Sequence, residues 1–217
     1  MEPDKKHILG GLLVMFEGID GVGKTTQLEL VEKTLTDLRW DVVTSRSPGG
    51  TPIGEALRSV MLDTMARPPK TDLYISVAIQ EALIEALSEK RAKNSVILLD
   101  RGPLSLAPYQ IYGSGIEEAL GWHYVDDGMN RLRPDLTIIY ECDPKIAIER
   151  ARQHSQKADY FESKPISYFE RVADGYREAA KRYDAVTIDA SQAIEAIHDE
   201  TMHHITELLE QKSIPVS

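Results

Sequence analysis

Cysteine is almost missing from this chain: among 217 residues only Cys142 is one. No internal disulfide can form, and a reducing, cytoplasmic setting is the simplest reading. Long apolar runs are missing too, so nothing approaches the roughly 20 residues that span a bilayer. The opening stretch from Met1 to Gly10 carries Glu2, Pro3, Asp4 and two lysines, and lacks the apolar centre of a signal peptide. Positive charge is in deficit, with 25 Lys and Arg against 35 Asp and Glu, a formal net charge of −10. That balance argues against a general nucleic-acid surface, and with no spanning apolar run no membrane partner is expected either. An acidic protein that binds phosphates must do so at a local basic pocket. Internal repeats and low-complexity blocks are also absent. What remains is a chain with 42% hydrophobic residues, enough for a substantial core, read as one domain over residues 1–217.

The most informative stretch is Glu17-Gly18-Ile19-Asp20-Gly21-Val22-Gly23-Lys24-Thr25-Thr26. An apolar run, Leu12 to Phe16, precedes it, and Leu28, Leu30, Val31, Leu35 and Leu38 follow at roughly helical spacing. The order is strand, glycine loop, helix. Gly18, Gly23, Lys24 and Thr25 satisfy G-x-x-x-x-G-K-[ST] in full. Such a loop wraps backbone N–H groups around phosphates, and the helix behind it aims its N-terminus at them. Gly18 to Thr26 would therefore hold ATP, with Lys24 on the outer phosphates and Thr25 on Mg²⁺. The competing explanation is a glycine turn that happens to carry a lysine, and the spacing and both flanking elements disfavour it.

Strand and helix patterns alternate along the rest of the chain, which implies a mostly parallel sheet covered on both faces. Strands are expected at 41–45, 95–100, 136–140 and 185–189, and helices at 52–62, 73–93, 117–131, 144–153, 167–183 and from Ser191 onward. Thr71 or Asp72 is expected to cap the third helix, and the segment after Asp100, with two prolines and Gly113-Ser114-Gly115, reads as loop. In such sheets the site forms at the carboxyl ends of the strands. Four of those ends carry chemistry: the glycine loop, Arg46, Asp100-Arg101, and the segment after Tyr140.

Asp100 ends an apolar strand, where a Mg²⁺-organising carboxylate is expected beside a phosphate loop. A helix cap or a salt-bridged Asp is the alternative. Arg101 follows where many ATPases place an acid that polarises water, and a cation there favours a second phosphate-bearing substrate over water. Arg46 makes the same suggestion from a neighbouring strand end, since guanidinium forks suit phosphate oxygens. Singly, each is more often a surface ion pair; together, at adjacent strand ends, they favour a site. A GTPase is disfavoured, because no Asn-Lys-x-Asp signature occurs and Pro103 takes the place of the switch glycine. Arg150 and Arg152, at the end of a helix and before a polar stretch, can belong to a lid that delivers a cation to the transferring phosphoryl group. They can equally be cations that complement the helix dipole.

With these residues in place, the chain resembles the thymidylate kinase family from Phe16 to the final helix. The resemblance is carried by the glycine loop, Arg46-Ser47-Pro48-Gly49-Gly50-Thr51, Asp100-Arg101 with Ser105 and Tyr109-Gln110, Arg133-Pro134-Asp135, Asp143-Pro144 and Tyr168-Phe169-Glu170-Arg171-Val172. It implies an α/β P-loop NTPase three-layer fold, a mostly parallel five-stranded sheet flanked by helices, with a small lid at about 153–165. It implies transfer of the ATP γ-phosphoryl group to dTMP with Mg²⁺, in a cytoplasmic homodimer built through helices that include 73–93. Lys24, Asp100, Arg101, Arg150 and Arg152 would be catalytic; Asp20, Arg46, Ile75, Arg101, Ser105 and Gln110 would hold the acceptor; Thr25 and Asp100 would hold the metal. Gly21 and Val22 stand where one family subtype carries a loop arginine, so the cation would come from the lid. The sequence departs from the family at Ser47, which replaces a Glu, and at Tyr160, which replaces a lid Arg. Leu106 and Pro108 replace small or polar residues, and Ile75 and Ile79 replace the Phe and Arg that hold thymine. The alternatives are the same reaction on another nucleoside monophosphate, or an impaired homologue acting as a partner protein.

Overall fold

The computed structural model describes residues 5–93, 95–154, 160–161 and 164–213. Five strands, β1 (Leu12–Glu17), β2 (Val42–Arg46), β3 (Val96–Asp100), β4 (Leu136–Glu141) and β5 (Val186–Asp189), form one sheet in the order β2-β3-β1-β4-β5. Every pairing is parallel. The central strands β1 and β3 are buried along nearly their whole length, which is why they read as unbroken apolar runs rather than alternating ones. The edge strands β2 and β5 are half-exposed and polar, as strand edges facing water must be.

Helices α1 (Lys24–Asp37), α2 (Pro52–Leu62), α3 (Pro69–Arg91), α4 (Glu118–Leu132), α5 (Pro144–His154), α6 (Ile166–Tyr183) and α7 (Ile194–Ser213) cover the sheet. The chain steps from β1 to β3 on one side and to β4 on the other, so the loop after β1 opens at the switch point where α/β sheets form their crevice. The register aligns Phe16, Arg46 and Asp100 across three neighbouring strands. Glu17 and Arg101 follow one residue on, so distant parts of the chain end on one rim.

Three expectations are corrected. Asp72 does not cap α3; the helix starts earlier, on Pro69, and Asp72 forms a buried ion pair with Arg67. Removing one partner of such a pair costs about 3–5 kcal/mol. Ser191 lies three residues before the last helix rather than capping it. The expected loop after Asp100 is helical: a 3-10 turn, Pro103–Ser105, and a π-helical segment, Ala107–Gly113. Its prolines sit in the first turns, where a missing N–H costs no hydrogen bond, so they start helix rather than prevent it. Of the expected lid, 155–159 and 162–163 lie outside the described residues.

Candidate active site

One cleft of about 1360 Å³ runs along the carboxyl ends of the strands. A single ligand usually occupies about 300–1,000 Å³, so this cleft has room for two nucleotides. Its floor is the glycine loop. Gly21 has φ +82, and a Cβ there would stand 1.8 Å from the Ala147 carbonyl oxygen. The loop is therefore seated against α5, and an arginine at this position would have no space. A Cβ on Gly18, at φ +134, would likewise strike the Tyr140 carbonyl oxygen at 2.4 Å.

Lys24 is buried, and its ammonium donates to the Ile19 carbonyl at 2.8 Å, across the mouth of the loop. Burial and the nearby Arg101 charge lower its pKa to about 8, against the pull of Asp20, Asp100 and Glu17. The Thr25 hydroxyl donates to Asp100 Oδ2 at 3.3 Å, and Asp100 Oδ1 is buried with no partner among the described residues. An orphaned carboxylate oxygen beside a hydroxyl is a donor set that suits a hard cation, so these two residues fit Mg²⁺.

Facing them is a network the sequence reading found only in part. Arg101 has φ 62, a left-handed conformation rare for a side-chain-bearing residue, and its guanidinium is held from several sides. It donates to Asp20 at 2.7 Å, to the Tyr109 hydroxyl at 2.9 Å and to the Tyr176 hydroxyl at 2.6 Å. Behind it, the fully buried Glu17 accepts from Gly102 N–H at 2.8 Å, Ser105 Oγ at 2.5 Å and Tyr176 at 3.0 Å. Burial raises the Glu17 pKa, with the Arg101 charge and these hydrogen bonds opposing. Burial would raise Asp20 as well, but Arg101 and Lys24 overcome it and hold the carboxyl at about 2. Glu17 carried the same signal as Asp100, a carboxylate closing an apolar strand; Tyr176 carried none.

Arg46 also lines the cleft, and Glu55 from α2 grips it with contacts of 2.9 and 3.3 Å while accepting from Gly50 N–H at 2.9 Å. Arg150 lines the cleft and donates to the Ala190 carbonyl at 3.3 Å. Arg152 does not reach it; it lines a separate depression with Lys145, Glu149 and Ile166. The reason is helical geometry, because residues two apart on a helix face nearly opposite ways. Ile75 is corrected as well: Ser76, Ile79 and Gln80 line the cleft, whereas Ile75, half-buried, is not among the lining residues. Tyr160 is no open lid position either, since its ring lies under the Arg67 guanidinium at 4.3 Å and its N–H bonds Leu62 at 3.2 Å. At the other end, Ala190, Gln192 and Ile194 close the cleft, with Gln27 donating to the Ile194 carbonyl at 3.0 Å.

The comparisons agree with this geometry. The family model described as thymidylate kinase matches residues 16–201. Curated relatives called thymidylate kinase include one from Exiguobacterium sp., 31% identical over 95% of this chain and 99% of the relative. Another, from Nostoc punctiforme, is 34% identical over 87% of this chain and 92% of the relative. A solved thymidylate kinase from Ehrlichia chaffeensis superposes with a TM-score of 0.71 at 25% identity, over 90% of this chain and 99% of that one. The chain belongs to the thymidylate kinase family of phosphotransferases.

Proposed function

We propose that this chain transfers the γ-phosphoryl group of ATP to the 5′-phosphate of dTMP, giving dTDP and ADP. The observation that carries the reading is the placement of Lys24, Arg46, Arg101 and Arg150 around one cleft. Two anions can meet there, one on main-chain amides and the other on guanidinium groups. The glycine loop and the start of α1 hold the donor phosphates, and Lys24 leaves the Ile19 carbonyl to reach them. Arg46 and Arg101 hold the acceptor phosphate, and Asp20, fixed by Arg101 and Tyr109, faces the acceptor sugar. Ser105 fixes the Glu17 carboxylate that backs Arg101. An acceptor oxygen forms the new P–O bond in line as the β–γ bridge breaks to ADP. Arg150 neutralises the charge that spreads over the moving group.

Thr25 and Asp100 would hold Mg²⁺, which when bound neutralises phosphate charge. We place the active chain in the cytoplasm as a homodimer. Ile53 and Val60 on α2 and Tyr74 on α3 are each more than half exposed, which supports a face covered by a second copy. A coupled ADP-release assay across dTMP, dUMP, UMP, dCMP, CMP, dGMP and AMP tests the activity. The expected result is best turnover on dTMP, abolished by Lys24→Ala in folded protein. Best turnover on another acceptor ends the dTMP assignment. Sedimentation that finds only monomer at micromolar concentration ends the dimer.

A further inference from the structure

Beyond Arg101 the cleft is walled by Met61, Leu62, Ile79, Leu106 and Phe161. Under the reading above, the acceptor's sugar and base lie here. The first four residues come from α2, α3 and the segment after β3, and Phe161 from the short stretch before α6. Phe161 is 9% exposed, and its ring meets the Tyr109 ring edge-on, with centroids 5.7 Å apart. Tyr109 in turn holds both Arg101 and Asp20 through its hydroxyl. Whatever fixes Phe161 therefore bears on the acceptor pocket and on Arg101. Its neighbour Tyr160 is tied to the end of α2, with its N–H on the Leu62 carbonyl at 3.2 Å and its ring centroid 4.3 Å from the Arg67 guanidinium. Arg67 is itself immobilised: its Nε pairs with Asp72, Nη2 donates to the Met61 carbonyl, and Nη1 donates to the Asp63 and Met65 carbonyls at 2.9 and 3.2 Å. Those bonds engage all three nitrogens in the guanidinium plane, so the face remains to be offered, and an aromatic ring is what a guanidinium face takes. The Arg67 side chain is only 8% exposed, so the contact is largely desolvated and stronger than a surface one.

We infer that Tyr160 is a positioning residue for the acceptor pocket. Its ring clasps the chain to Arg67, the clasp sets Phe161 as a wall of the pocket, and Phe161 steadies Tyr109 and with it the Arg101–Asp20 pair. Tyr160 does not line the cleft, so it acts through its neighbour. This rests on the acceptor reading above and extends it to a residue outside the pocket. The resemblance to the family expects a lid arginine at this position, and the surroundings are wrong for one. A second cation, the Lys164 ammonium, sits 3.9 Å from the same ring centroid. Arg67 and Lys164 attract an aromatic ring and would repel a third cation put in its place. The position thus serves the acceptor end instead of supplying charge to the donor.

The test is steady-state kinetics of Tyr160→Leu, Tyr160→Phe and Tyr160→Arg, and of Phe161→Leu alone and combined with Tyr160→Leu, with melting of each free protein. Tyr160→Leu removes the ring and is expected to raise the KM for dTMP about 10-fold, the scale of one desolvated cation–π contact, while the KM for ATP stays within about twofold. Tyr160→Phe keeps the ring and should match the wild type within about twofold. Tyr160→Arg should lose as much as Tyr160→Leu and gain nothing in kcat, because it meets Arg67 and Lys164. Added to Phe161→Leu, Tyr160→Leu should cost less than about threefold more, because it acts through Phe161. An unchanged dTMP KM in Tyr160→Leu overturns the proposal. So does a rise shared equally by dTMP and ATP with a lower melting point, which marks a merely structural ring. A Tyr160→Arg variant with a higher kcat overturns it too, by returning the position to the donor phosphates, and full additivity with Phe161→Leu removes the link to the pocket. The two readings fail separately. If the wild type turns over another monophosphate faster than dTMP, the dTMP assignment falls, and the same KM split measured with that acceptor still decides the clasp.

Discussion

The two ends of the cleft are built on opposite plans. At the phosphate end, most charged side chains are tied to a partner before any ligand arrives, Arg101 to Asp20, Tyr109 and Tyr176, Glu17 to Ser105, Arg46 to Glu55, although Asp100 Oδ1 has no partner among the described residues. At the other end, among Met61, Leu62, Ile79, Leu106 and Phe161, Gln110 Oε1 is buried with no partner among the described residues. The difference fits the occupants proposed for each end. Phosphates demand buried charge, and a buried charge without partners costs more than the fold can spare, so it must be balanced in the free protein. A base demands neutral hydrogen bonds, and one or two unsatisfied amides cost little enough to leave open.

The comparison can be broken most decisively at Lys24. Lys24→Ala should lower kcat/KM by about 10³ or more while the melting point holds or rises, because the buried ammonium is a burden on the free fold. A loss below tenfold would mean that the phosphate end is not where the chemistry lies. Arg150→Ala should cost about 10³ in kcat, the scale of a cation placed on the transferring group, with the ATP KM little changed. Arg101→Ala should act on the fold itself. It strips the cation from Glu17 and Asp20, and urea unfolding should show a loss of about 3 kcal/mol. Arg46→Ala, whose partner Glu55 is exposed, should leave stability nearly unchanged and raise the acceptor KM. Similar stabilities for these two variants would erase the distinction between a buried network and a surface pair.

A pH series sharpens the same contrast. Lys24 titrates at about 8 in the free protein, and bound phosphates pull that value up. ATP affinity should therefore be flat below pH 7 and fall by about fivefold between pH 8 and 9, as the protonated fraction of the free ammonium drops from about one half to about one tenth. Affinity that is level across that range would place the Lys24 pKa elsewhere. The smallest effect is expected of Arg152→Ala, within about twofold on all kinetic constants, since the side chain lies off the cleft. A large loss there would return it to the lid.

Much of the phosphate end was legible in the sequence, for a physical reason. A phosphate cradle is local: eight consecutive residues and the elements on either side make it, so Gly18 to Thr25 suffice to read it. Asp100 and Arg101 were legible because they close an apolar strand of a sheet whose first strand already carries a phosphate loop. The base end was less legible. Ile75 and Ile79 are four apart, so aligned spacing alone could not tell that the helix turns Ser76, Ile79 and Gln80 to the cleft and leaves Ile75 beside it. Arg150 and Arg152 look equivalent as sequence neighbours and are not equivalent on α5.

Sequence alone determined the order of the strands and the long helices, the parallel sheet and the phosphate loop, because hydrophobic period and glycine spacing are properties of short stretches. Tertiary structure decided the rest. It brought Tyr176 from α6 onto Arg101 and Glu17, set Glu55 on Arg46, and wedged Gly21 against α5. Those contacts join residues far apart in the chain, where pairing depends on the register of strands and the rotation of helices.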